Sequence, residues 1–87
     1  MIRKSFTIPN RAGFHGRTAA LFVRAIYAFK STILLIRDNM VINGKSIMSI
    51  LSLGASYNTM VDVIADGEDE KNAMEAIEQL FMNRFEE

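Results

Sequence analysis

The chain has 87 residues, 49% hydrophobic and 23% charged, with ten basic and ten acidic side chains and no cysteine. That length buries one modest core, so a single domain over residues 1–87 is expected, and the apolar content argues against disorder. A net charge of zero argues against general nucleic-acid binding, while the lack of thiols removes disulfides and thiolate metal sites.

Ile2, Lys4, Phe6 and Ile8 alternate with Arg3, Ser5 and Thr7, which predicts a strand with Phe6 and Ile8 turned inward; Pro9-Asn10 ends it. From Gly16 onward Ala19, Phe22, Val23, Ile26 and Phe29 fall on one helical face, with Arg17, Leu21, Arg24 and Ala28 on the other. Thr32 to Arg37 reads as a strand rich in branched residues. Asp38-Asn39 supplies a turn, and Met40 to Ile42 returns as the second arm of a hairpin that Asn43-Gly44 closes. Ser46 is placed to cap a helix of about two turns that Gly54 ends.

Alternation of Val61, Val63 and Ala65 with Asp62 and Ile64 predicts a fourth strand. After Asp66-Gly67, the acids Glu68, Asp69 and Glu70 suit a helix N-terminus, and Ala73, Met74, Ile77, Leu80 and Phe81 mark its buried stripe. The order is βαββαβα. Four strands with one apolar face and three helices to cover it imply an α+β fold, a four-stranded antiparallel sheet with all helices on one side.

The longest apolar runs, such as Ala19 to Val23 and Ile33 to Ile36, are far too short to cross a bilayer, and the N-terminus lacks a secretory layout. A cytoplasmic protein without membrane insertion is expected. Charge is distributed unevenly: residues 1–37 hold seven basic and no acidic side chains, whereas the other fifty hold ten acids against Lys45, Lys71 and Arg84. Two readings stay open. Either the basic half steers an acidic partner, or the charges mix again on folding.

His15, the single histidine, stands just before the first predicted helix, where the free backbone N–H groups of Gly16, Arg17 and Thr18 and the positive helix end favour an anion. Arg17 is placed to hold two phosphate oxygens at once, and Gly16 has no side chain to keep a phosphate from the backbone. A lone histidine at a helix start also serves as a surface or capping residue. No second histidine and no cysteine is present to complete a transition-metal site, and no serine context suggests a triad.

Three segments, "GFHGRTAALFV", "NGKSIMSILSLGA" and "ADGEDEKNAMEAIEQLF", come in an order and at separations that resemble the HPr family of phosphocarriers of the bacterial phosphoenolpyruvate-dependent phosphotransferase system. The resemblance implies the family's open-faced β-sandwich. It implies that His15 is phosphorylated on Nδ1 by Enzyme I and passes the group to sugar-specific IIA proteins, that Arg17 stabilises the phosphate, and that Ser46 is a regulatory site for the HPr kinase/phosphorylase. No cofactor or metal is expected, and a monomer suffices.

The family's usual segment is G-L-H-A-R-P-A, so Gly16 here replaces alanine and Thr18 replaces proline, restoring an N–H donor that either meets the phosphoryl group or is satisfied by water. Asn58 takes a place where the family often has glycine, and asparagine also tolerates positive φ. A partner face is expected from Ala20, Arg24 and Tyr27 on the first helix together with Ile47, Met48 and Leu51 on the second, methionine adapting to partners of different shape. Ile47 is equally compatible with ordinary core, Met48 less so, and Ser46 is compatible with a plain cap. Two other readings of the whole chain are a non-relay regulatory module of HPr shape and a carrier of the nitrogen-related branch.

Overall fold

Alternation at period two builds the sheet, and apolar spacing near 3.6 builds the helices that cover it. The computed structural model describes residues 1–86 and contains β1 (Ile2–Thr7), α1 (Gly16–Ile26), β2 (Thr32–Arg37), β3 (Met40–Asn43), α2 (Ile47–Leu53), β4 (Met60–Asp66) and α3 (Glu70–Met82), followed by a short 3₁₀ turn over Arg84–Glu86. The strands lie in the order β1-β4-β2-β3, every neighbour antiparallel. The fold is the open-faced α+β sandwich expected from the element order.

Register explains which face is buried. Phe6 pairs with Val61, Ile2 and Ile33 flank Ala65, and Leu35 lies between Val63 and Ile42, so these residues share the helix-covered face. Ala19, Phe22 and Ile26 of α1, Ile50 and Leu53 of α2, and Ala73, Met74, Ile77 and Phe81 of α3 pack onto that face as one core. Lys4 belongs to the same row but sits on an edge strand, where its ammonium reaches Glu78 of α3 at 2.8 Å. On the open face Asp62 accepts from Arg3 at 2.7 Å and Ser5 at 2.6 Å, beside the half-buried Leu34, Ile36 and Ile64.

The first helix is shorter than its apolar spacing suggests. Tyr27 caps it, so Phe29 lies beyond it, and Val23, Leu21 and Phe29 are each half-buried against the core. The cause is non-local. Asp69 accepts from the backbone N–H groups of Lys30 and Ser31 at 2.8 and 2.9 Å, and Lys45 donates to the Phe29 carbonyl, which together pull the chain out of helical geometry. Asp69 therefore leaves its own helix without a side-chain cap and ties it to the α1–β2 connection instead.

The end of the chain holds a feature that periodicity does not signal. Arg84, Phe85 and Glu86 have φ of 51°, 52° and 63°, a left-handed turn costing about 1–2 kcal/mol per residue. It turns Phe85 into the core, where burial contributes about 1.5–3 kcal/mol and its edge contacts with Phe14 and Phe81 about 0.5–1.5 kcal/mol each.

The Ser31 hydroxyl, followed by the Lys30 amide, holds the Asp69 carboxyl below the usual aspartate range. A carboxylate with a depressed folded value adds stability that is full above its unfolded value and is lost as pH falls through the folded one. The stability gap between wild type and Asp69→Asn is thus expected to be widest at neutral pH and to close below about pH 4, as read by urea denaturation across pH.

Candidate functional site

The loop between β1 and α1 is held by contacts with a distant segment. Ile8 exchanges backbone hydrogen bonds with Thr59 and Asn58 at 2.8 and 2.9 Å, and the Phe14 N–H donates to the Ala55 carbonyl at 2.9 Å. Asn58 adopts φ 68° there, the positive value that asparagine tolerates. Gly13 has φ +71°, and a Cβ on it would stand 2.8 Å from the Ala55 oxygen and 3.0 Å from the Ser56 Cα. Only glycine combines that backbone with that approach. Phe14, next in sequence, is buried with its ring 6.1 Å from Phe22 and 5.5 Å from Phe85.

With Phe14 anchored inward, His15 emerges half-buried as the N-cap of α1 in extended backbone geometry. Its Nδ1 accepts from the Arg17 N–H at 3.3 Å, which leaves the first-turn amides of Gly16 and Thr18 without intrahelical partners. The Arg17 guanidinium makes one long contact, 3.5 Å from Nη1 to the Phe85 carbonyl. Among the described residues no carboxylate forms an ion pair with Arg17 or Arg24, whereas Arg3, Lys4 and Lys30 pair with Asp62, Glu78 and Glu68. Among the described residues the charges thus mix between β1, β4 and α3 and between Lys30 and Glu68, whereas Arg17 and Arg24 of α1 take no carboxylate.

Gly16 is exposed, and a Cβ there would meet nothing within 4 Å. The geometry of the fold does not demand glycine at this place. Thr18 is fully buried, and its hydroxyl lies 3.2 Å from His15 Nε2 and 3.3 Å from Asn10 Nδ2. Sequence reasoning considered only the Thr18 amide, and it missed Asn10, Gly13 and Phe14 altogether. Pro9-Asn10 carries an ordinary turn signal, so nothing local distinguishes this asparagine; the glycine two places before the histidine was the readable clue.

Ser46 caps α2, its Oγ accepting from the Ser49 N–H at 3.2 Å, and Gly54 ends that helix at φ 65°. Of the expected partner face, Ala20 is half-buried and Arg24 exposed on α1, with Tyr27 at its C-cap 71% exposed; on α2 Met48 is 76% exposed, while Ile47 and Leu51 are open to a lesser degree. Ile50 and Leu53, not Ile47 or Met48, carry α2 into the core. The helices α1 and α2 pack side by side, so the two sets lie on neighbouring elements.

Residues 2–83 match the family described as "PTS HPr component phosphorylation site". The phosphocarrier protein HPr of Treponema pallidum is 44% identical over all of this chain and 99% of its own length. The HPr-like protein Crh of Bacillus subtilis is 39% identical over 88% of this chain and 91% of its own. Among solved structures, HPr from Thermoanaerobacter tengcongensis superposes with a TM-score of 0.96 at 41% identity, covering all of this chain and 98% of that one.

The two glycines of the site are expected to respond oppositely to alanine. Gly13→Ala should lower unfolding free energy by roughly 1–3 kcal/mol through backbone strain and close contact, while Gly16→Ala should leave it unchanged or raise it by up to about 1 kcal/mol. Urea denaturation of both variants checks this, and equal effects would contradict it.

Proposed function

This chain belongs to the HPr family of phosphocarriers of the phosphotransferase system, and we propose that it accepts a phosphoryl group on His15 from phosphorylated Enzyme I and passes it to sugar-specific IIA proteins in the cytoplasm. One observation carries this reading. A half-buried imidazole caps a helix with its Nδ1 against a backbone donor, beside an arginine that no carboxylate of the described residues occupies.

The transfer needs alignment and charge stabilisation more than covalent assistance. The Nδ1 lone pair forms the new N–P bond in line as the donor's bond to phosphorus breaks, the donor keeping that electron pair. The Arg17 amide, no longer bonded to Nδ1, then donates to a phosphoryl oxygen together with the amides of Gly16 and Thr18. Arg17 turns its guanidinium from the Phe85 carbonyl to the same oxygens, exchanging a long neutral contact for charge-assisted ones. The N–P bond remains labile, so the site that accepts the group also gives it away. This chemistry asks no metal or organic cofactor of the chain.

Exposed Tyr27, Arg24 and Met48, with Ile47, Leu51 and Ala20, form the proposed docking face for both partners. Ser46 gives that face a regulatory handle for the HPr kinase/phosphorylase. A phosphate there keeps its oxygens at the start of α2 and places negative charge beside Ile47 and Met48, which disfavours an acidic partner. Joint retention of His15 and Arg17 ranks a relay above a module that only binds.

Incubation with phosphoenolpyruvate and Enzyme I is expected to give one acid-labile phosphoryl adduct by mass spectrometry, absent in His15→Ala. Arg17→Ala should slow its formation roughly tenfold to hundredfold. Ser46→Asp should also slow the Enzyme I step, and an unchanged rate would remove the regulatory assignment.

A further inference from the structure

Each ring nitrogen of His15 has one neighbour, and together they determine where the proton sits. The Arg17 amide has only a hydrogen to offer, so Nδ1, 3.3 Å away, must present a lone pair. A neutral imidazole has one N–H, which then belongs to Nε2. At 3.2 Å from Nε2 stands the Thr18 hydroxyl oxygen, fully buried, which accepts that hydrogen. The oxygen is itself held. Asn10, 2% exposed, donates from Nδ2 to the Gly13 carbonyl at 2.7 Å and to Thr18 Oγ1 at 3.3 Å. Its amide cannot be turned over, because that would set two acceptor oxygens against each other at Gly13.

We propose that Thr18 is a positioning residue for His15: its hydroxyl, braced by Asn10, holds the ring proton on Nε2 and so reserves Nδ1 as the nucleophile. The inference rests on the carrier reading for its purpose but not for its geometry. Formation of the Nδ1–P bond leaves the Nε2 proton in place and makes the ring cationic. The bond to Thr18 then becomes charge-assisted and strengthens as the group arrives. Departure of the phosphoryl group to the next acceptor returns the electron pair to Nδ1 and weakens it again. A proline at this position has no hydroxyl and offers none of this.

The test is ¹⁵N–¹H NMR of the unphosphorylated, histidine-labelled protein with a neutral ring. Wild type should show the proton on Nε2, with exchange against solvent slow enough for the Hε2 signal to be seen. Thr18→Val, close to isosteric, should speed that exchange at least tenfold or erase the signal, and Thr18→Ser should restore it. Phosphorylation by Enzyme I should slow several-fold in Thr18→Val and recover in Thr18→Ser.

A proton on Nδ1 in the wild-type spectrum overturns the proposal whether or not any variant folds. An Hε2 signal indifferent to Thr18→Val also overturns it, as does a normal phosphorylation rate in that variant. A wild-type protein that shows the expected spectrum but takes no phosphoryl group would instead sink the carrier reading and leave the proton placement standing.

Discussion

The site depends on one close approach of backbone to backbone. Gly13, in a left-handed conformation, lets the chain run against Ala55 and Ser56, and the Phe14 amide closes the contact on the Ala55 carbonyl. With that contact made, Phe14 enters a cluster of Phe22, Phe81 and Phe85, and the next residue must leave the core. His15 leaves it where α1 begins. The ring's exposure, its capping role and its two hydrogen-bonding neighbours all follow from a loop pinned on its inner side.

The same aromatic cluster links both ends of the chain to the site. Phe6 of β1 stacks on Phe81 of α3 at 4.3 Å, and Phe81 meets Phe85, whose carbonyl faces Arg17. The left-handed turn at Arg84–Glu86 is thus more than a frayed helix end. It buries a phenyl ring and sets a carbonyl within reach of the guanidinium, a long neutral contact that, in the proposed relay, charge-assisted bonds to a phosphoryl group replace. Elsewhere Arg3 ties β1 to β4, Lys4 ties β1 to α3, and Lys30 pairs with Glu68 just ahead of α3. In the proposed relay, this separation of paired from unpaired positive charge is what suits the mouth of α1 to an anion.

Departures from the usual family segment have unlike consequences. At Gly16 the backbone is ordinary and the space is open, so the residue there is weakly constrained by the fold. At Thr18 the side chain is enclosed and bonded on two sides, so the change from proline reaches the histidine itself. Two substitutions two places apart in sequence therefore differ because one faces solvent and the other faces the packed loop.

Strand and helix order, the inward rows of β1 and β4, the Ser46 and Gly54 caps, and the position of His15 before a helix were all determined by the sequence itself, whereas the continuous apolar run of β2 left its facing to the register. Each is governed by residues within a few places of one another, through side-chain periodicity and capping chemistry. Tertiary structure alone decided that α1 stops at Ile26, because Asp69 lies 38 residues beyond the Ser31 amide it draws over. It alone placed Asn10 and Thr18 behind the imidazole and, among the described residues, left Arg17 without a carboxylate partner. Those outcomes turn on which distant backbone is brought alongside, and no local pattern encodes a neighbour that only the packed core supplies.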